Sequence, residues 1–63
     1  MTGKFRGMDV LYKGSRKMLL FNQFDFGAKY KIYTKHDKVW CYNIAFETLG
    51  KAKACYDRIY DGN

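Results

Sequence analysis

The hydrophobic pattern of this chain changes its period once, near Phe46, and that change limits the fold more than any other feature. Before it, short apolar runs alternate with turn residues, among them residues 14–15 and 36–37, which is typical of antiparallel strands joined by hairpins. After it, apolar residues recur at i, i+3, i+7 and i+10, the spacing of one helix face: Leu49, Ala52, Tyr56 and Ile59. Thr48 is a natural N-cap for this helix and Gly62 its expected stop. The pattern predicts an α+β fold of order ββββα, with a three- to four-stranded antiparallel sheet and one C-terminal helix packed on one face.

The length of the chain limits its core. At 63 residues we expect one domain, residues 1–63, and a chain of this size buries only about 60% of the surface that it exposes when unfolded. Hydrophobic residues make up 48% and aromatic residues 19% of the sequence, more than one sheet face and one helix need. We therefore expect the surplus apolar surface to be covered, either by a partner or by a second copy of the chain in a homodimer.

The lack of a recognisable targeting signal and the low cysteine content predict a protein of a reducing compartment. The longest apolar run, residues 18–21, is too short to span a bilayer, and the start after Met1 is polar. Cys41 and Cys55 are too few for a disulfide framework and lack the spacing of a metal site. These features predict a cytoplasmic protein with free thiols and without a membrane segment, a metal or another cofactor.

The formal net charge of the whole chain is +6. Its positive charge is concentrated in the first three quarters of the sequence. Residues 1–46 hold nine Lys or Arg against three Asp, which gives +6, and residues 47–63 hold three basic against three acidic residues, which gives zero. A one-sided basic surface suits the phosphate backbone of a nucleic acid. The alternative is a set of surface lysines that only keeps the protein soluble.

A first hairpin is expected around a turn at residues 14–15, with its second strand ending at Gly27. That register places Met18 and Leu20 together on one face of the sheet, while the opposite face is apolar as well. A second apolar face indicates either a covered face or an interface, so Met18 and Leu20 are candidate interface residues.

Two registers of the second hairpin, which spans residues 28–46, give opposite surfaces, because a slip of one residue exchanges the two faces of a strand. A two-residue loop at residues 36–37 pairs Tyr33 with Trp40 and leaves both outside with Tyr42, among lysines. A three-residue loop turns Trp40 and Tyr42 towards the helix and buries them. Hydrophobicity alone favours the second register, and the sequence leaves both open.

One basic strip is common to both registers: Lys29, Lys31, Tyr33 and Lys35 alternate along one face of a strand. Lysines contribute salt-sensitive affinity for phosphates, and a tyrosine among them can stack on a base or sugar. The other interpretation is an edge strand that its lysines protect from aggregation.

The closing segment FETLGKAKACYD, with FRG at residues 5–7, resembles the ethylene-response-factor type (Apetala-like) DNA-binding domain. That family's closing pattern is matched by five residues: Phe46, Thr48, Ala52, Tyr56 and Asp57. The resemblance implies a three-stranded antiparallel sheet backed by one helix, with the sheet lying in the DNA major groove, and it assigns a DNA contact to Arg6. The intervening segment KMLLFNQF departs from the family's pattern.

No catalytic constellation is evident in the sequence. His36 and Ser15 lie in turns without an apparent catalytic partner, and no glycine-rich phosphate loop follows a strand. We therefore expect a small non-enzymatic protein that binds the phosphate backbone of DNA or RNA. Its candidate contact residues are Arg6, Arg16, Lys17, Lys29, Lys31, Tyr33, Lys35 and Lys38.

The alternative hypothesis is a small phage- or plasmid-type protein that binds and inhibits a host protein. The surplus apolar surface and the absence of a catalytic site both suit such an inhibitor. Large side chains would then serve as interface anchors: Met18, Leu20, Trp40 and Tyr42.

Overall fold

A computed structural model describes residues 3–60 and shows a five-stranded antiparallel sheet followed by one helix. The elements are β1 (Lys4–Phe5), β2 (Met8–Lys13), β3 (Lys17–Phe21), β4 (Tyr30–His36), β5 (Val39–Phe46) and α1 (Leu49–Arg58). The strands lie side by side in chain order, each antiparallel to the next. The α+β class and the C-terminal helix are confirmed, and the short strand β1 raises the strand number to five. The expected stop at Gly62 lies outside the described residues.

Helix α1 packs on one face of the sheet, which we call the helix face. The Thr48 hydroxyl accepts a hydrogen bond from the Lys51 backbone N–H at 3.3 Å, so the N-cap lies where the sequence predicts it. Ala52 and Tyr56 of the helix are buried against Leu19 of β3 and Ile32 of β4. The first core of the protein is therefore formed between α1 and the middle strands.

The opposite face of the sheet, which we call the concave face, carries a second core. Its buried members are Met8, Met18, Leu20 and Tyr33. The Phe5 ring of β1 lies 5.3 Å from the Tyr33 ring of β4, edge to face. In a flat sheet, strands three positions apart are about 14 Å from each other. The sheet therefore curls until β1 covers part of its own face, and this explains the second apolar surface seen in the sequence.

Both long hairpins turn one residue later than the sequence predicts. In the first, the Gly14 N–H donates to the Lys17 carbonyl at 2.8 Å and encloses residues 15–16. In the second, Asp37 and Lys38 form the turn, with φ of 50° and 69°. Two consecutive positive φ angles define a type I′ turn, which matches the right-handed twist of the flanking strands. The expected turns at residues 14–15 and 36–37 are thus wrong by one position.

Because of a β-bulge in β5, the second hairpin follows neither of the two registers that the sequence left open. Between the turn and the bulge, Lys35 pairs with Trp40 and Tyr33 with Tyr42, on the concave face. The pairing then shifts by one residue at Asn43. Beyond it, two further pairs lie on the helix face: Ile32 with Ile44, and Tyr30 with Phe46. The extra residue thus turns Trp40 and Tyr42 towards the concave face, and Ile44 and Phe46 towards the helix face.

Strand β3 ends at Phe21, six residues before the expected end at Gly27. The following segment, residues 22–29, is a loop held by its own side chains. The Asn22 side-chain oxygen accepts from the Phe24 N–H at 3.1 Å, and the Asp25 carboxylate accepts from the Gly27 N–H at 2.9 Å. Such local hydrogen bonds compete with strand pairing and end the strand.

Candidate nucleic-acid interface

The turns of both long hairpins meet at one end of the sheet and bring basic side chains together. The Lys35 N–H donates to the Arg16 carbonyl at 2.9 Å, which ties the two turns to each other. Around this bond lies an open cleft of about 530 Å³, lined by Ser15, Arg16, Lys35, His36, Asp37 and Lys38. We call Arg16, Lys35 and Lys38 the basic turn cluster. One carboxylate, that of Asp37, lies in the same cleft and partly offsets its charge.

An aromatic surface continues from this cluster along the concave face. The Lys35 ammonium lies 5.5 Å from the Trp40 ring centroid, a cation–π distance. Tyr42 is the next residue of β5 on this face; 57% of its surface is exposed, and its ring meets the Tyr33 ring at 5.9 Å. At the far side, the Arg6 guanidinium lies 5.6 Å from the Tyr33 ring centroid. Two cationic groups, of Lys35 and Arg6, thus flank the aromatic side chains of the concave face, among which Tyr42 is exposed.

Arg6 lies in the turn that joins β1 to β2, a hairpin that the sequence analysis did not anticipate. Arg6 and Gly7 have φ of 52° and 81°, which again is a type I′ turn. The conformation directs the guanidinium over the rings of Phe5 and Tyr33, at 5.2 and 5.6 Å from their centroids. The dipeptide Arg-Gly, with glycine in the second turn position, is the sequence signal for this hairpin.

Three of the lysines expected to contact nucleic acid are bound to other groups of the protein or half-buried. Lys17 points to the helix face, where its ammonium donates to the Tyr56 carbonyl at 2.8 Å and stacks on the Tyr56 ring. Lys31 is on the concave face, but its ammonium is 2.6 Å from the Asp25 carboxylate and its side chain is 17% exposed. Lys29 precedes β4 and is half-buried. Lys17 alternates along β3 with Met18 of the concave face, so its side chain lies on the helix face and not on the expected binding face.

The residues expected to anchor a protein interface are mostly interior. Met18 and Leu20 have exposed fractions of 2% and 0%, because β1 curls over them. Tyr33 is also buried, so it supports the concave face and does not itself stack on a ligand. Trp40 is half-buried against this core, and only Tyr42 of the expected anchors is largely exposed. The assignment of Met18 and Leu20 as interface residues was therefore wrong.

An exposed pair of phenylalanines in the loop of residues 22–29 was missed by sequence reasoning. Phe24 is 74% and Phe26 fully exposed. Asp25, between them, is fixed by its ion pair with Lys31 and by the Gly27 N–H. The available sequence signal was the pair Asn22 and Asp25, whose side chains favour turns over strand.

Lys38 combines backbone strain with a position in the basic turn cluster. Its φ of 69° is a left-handed conformation that costs a residue with a Cβ about 1 kcal/mol. We expect Lys38→Gly to raise the free energy of unfolding by up to about 1 kcal/mol and, in the same variant, to weaken nucleic-acid binding. Urea denaturation and an oligonucleotide titration measure the two effects. Lys38→Gln is the control: it should weaken binding without the gain in stability.

Two further features, a metal-binding cluster and a membrane-spanning helix, are not found in the described residues. In the part of the chain from residue 3 to residue 60, no three His, Cys, Asp or Glu side chains gather in a way that could hold a metal ion. Within the same range, the single helix is too short and too polar to cross a bilayer. Comparison of the chain with protein families, curated proteins and solved structures finds no match. The resemblance of the closing segment to the ethylene-response-factor type domain therefore stays a prediction.

Proposed function

We propose that this protein binds nucleic acid without catalysing a reaction, and that it prefers single strands. The observation that carries the proposal is the continuity of the basic turn cluster with two aromatic side chains of the concave face, the half-buried Trp40 and the exposed Tyr42. Lys35 belongs to both, since it lines the cleft and lies over the Trp40 ring.

The basic turn cluster has the composition of a phosphate site. Arg16 and Lys38 are exposed, and Lys35 is half-buried beside them. Cationic side chains that neutralise phosphates release counterions, so the affinity they give falls steeply with salt. Contacts of this kind fix the position of a strand without reading its sequence, which predicts modest sequence specificity.

The aromatic surface accounts for the preference for single strands. The Tyr42 ring is more than half exposed and is held edge to face by Tyr33. A base can stack on such a ring only when it is unpaired, and stacking contributes about 1–3 kcal/mol per base. A backbone bound at Lys35 would bring its bases towards Trp40 and Tyr42, which lie on the same face.

A titration of the unmodified protein tests the proposal directly. Trp40 is the single tryptophan of the sequence, so its fluorescence reports on this surface alone. We expect a single-stranded oligonucleotide to quench it more strongly than the matching duplex, with an affinity that drops between about 50 mM and about 200 mM salt. Failure to bind any DNA or RNA at about 50 mM salt would reject the proposal, because the electrostatic contribution is strong there.

A second candidate function, binding to a protein partner, rests on the exposed phenylalanines. Phe24 and Phe26 project from a loop that is already ordered, so little conformational entropy is lost when they enter a pocket. Exposed rigid aromatics are frequent hot spots of protein interfaces. Inhibition of a host protein, the alternative drawn from the sequence, would use this loop and not Met18 or Leu20.

A pulldown from nuclease-treated bacterial lysate separates the two candidates. The variant Phe24→Ser/Phe26→Ser should fold with a stability within about 0.5 kcal/mol of the parent, since both side chains are exposed. A stoichiometric protein captured by the parent and lost by this variant would favour the second candidate. Unchanged nucleic-acid binding by the same variant would favour the first.

The loop should depend on pH through Asp25. A hydrogen bond from the Lys31 ammonium, and next the Gly27 N–H, hold the pKa of the Asp25 carboxyl below its ordinary value of 3.8. Because the pKa is lowered in the folded protein, these contacts are fully present above that value and are lost as the pH falls through the lowered pKa. The protection of the amides of residues 24–27, measured against their intrinsic exchange rate at each pH, should fall only in that acidic range, and Asp25→Asn should lower it at neutral pH.

A further inference from the structure

Strand β5 is a long edge of the sheet that lacks the charged residues and prolines which often protect an edge; the protective feature it has is the β-bulge at Asn43. In the described residues it pairs with β4 alone, which leaves its other side open. Its eight residues, VWCYNIAF, include no charged residue and no proline. Four consecutive residues, Cys41 to Ile44, are exposed, as is Val39. An exposed, uncharged edge strand is a template for pairing with another strand.

We propose that two copies of this chain pair through β5 in antiparallel fashion and form one continuous ten-stranded sheet. Antiparallel pairing of identical strands is isologous, so a two-fold axis through the middle of β5, near Tyr42, satisfies the backbone groups of both copies at once. The absence of charge on β5 means that no like charges face each other across this axis.

As the partner of β5, a second copy of the chain is favoured over an unrelated strand, because it leaves less exposed sheet edge. The two edges of the monomer are unequal: β5 has eight residues and β1 has two. Pairing β5 with itself removes both eight-residue edges and leaves at each end of the sheet the two-residue β1 and the part of β2 that β1 does not pair with. A foreign strand added to β5 would create a new edge in its place, and the liability would persist.

The dimer would join the nucleic-acid sites of both copies into one surface. This part of the inference rests on the proposed function. A two-fold axis perpendicular to the sheet keeps the concave faces of both copies on the same side, so each Tyr42 lies next to its counterpart. Val39, at the turn end of β5, is three residues from Tyr42, so the two basic turn clusters would lie about 20 Å apart. One strand of nucleic acid would then contact both clusters and the shared aromatic centre.

Sedimentation of the full chain without nucleic acid tests the dimer separately from the proposed function. We expect a mass of twice the 7.5 kDa chain, and a dissociation that follows mass action between about 1 mM and about 1 µM protein. Hydrogen exchange gives a local readout, because amides within Val39–Phe46 should become more protected as the concentration rises, while those of α1 should not change.

The variant Val39→Lys/Cys41→Lys adds two charges to each exposed edge and should raise the dimer dissociation constant at least tenfold. The matched control Gln23→Lys/Ala54→Lys adds the same charge at exposed positions on a loop and on the helix, and should leave the dimer intact. Circular dichroism establishes that both variants fold.

A monomer at about 1 mM, or a dimer that the edge variant does not weaken, would overturn the proposal. Since no nucleic acid is present, either result leaves the test of nucleic-acid binding unaffected.

Discussion

Replacing Leu20 by alanine should lower the free energy of unfolding by about 2–5 kcal/mol. The Leu20 side chain is completely buried in the core of the concave face, among Met8, Met18 and Tyr33. Proteins have about 0.05–0.15 kcal/mol of stability per residue, so a chain this short has only about 3–9 kcal/mol in total. The variant should therefore lose a large part of its stability and unfold at a clearly lower urea concentration than the parent. Urea denaturation followed by circular dichroism measures the loss.

Leu49→Ala is the matched control for this experiment. It makes the same chemical change at a residue that is 40% exposed at the start of α1, so we expect a much smaller loss. If Leu20→Ala instead cost no more than the control, the concave face would be open to solvent and the second core would be refuted. The same comparison tests the curl of the sheet, because β1 is the strand that covers this core.

Removing the three charges of the basic turn cluster should nearly abolish nucleic-acid binding. In the triple variant Arg16→Gln/Lys35→Gln/Lys38→Gln, three phosphate contacts are lost. Each contact contributes about 0.7 to the slope of log affinity against log salt for a single strand, so the slope should fall by about 2. At about 0.1 M salt this corresponds to a roughly hundredfold weaker affinity. Fluorescence anisotropy across a salt series gives both quantities.

The control for this variant neutralises charges on the helix. Lys51 and Arg58 are exposed on α1 and do not line the cleft, and Lys53 is paired with Asp57 at 2.9 Å. Lys51→Gln/Arg58→Gln should change the slope little, although it lowers the net charge by two. Equal effects of the two variants, per charge removed, would mean that nucleic acid responds only to the overall charge and that the cleft is not a site.

Helix α1 could be predicted from the sequence because its determinants are local. The N-cap bond joins Thr48 to a residue three positions on, and the buried face follows from helical spacing. Local signals were also sufficient for the existence of β2 to β5. They did not place the turns, since moving a two-residue turn by one position changes the local energy little.

Pairing and burial within the sheet depended on contacts between distant parts of the chain. The extra residue at Asn43 is present because each half of β5 packs a different face, a condition visible only once α1 and β1 are in place. In the candidate site, too, local signals predicted some residues, whereas contacts between distant parts of the chain decided the rest. Lys35 and Lys38 were predicted, whereas the partners that engage Lys17 and Lys31 could not be.

By itself the sequence determined the element types, the cap of α1 and the concentration of positive charge before residue 47, since each depends on neighbours along the chain or on composition. Only the tertiary structure decided which cations converge on the cleft and which aromatic rings stay exposed. The physical reason is that strand partners are distant in sequence, and the curl of the sheet, which buries Leu20 and leaves Tyr42 exposed, is set by packing on both faces at once.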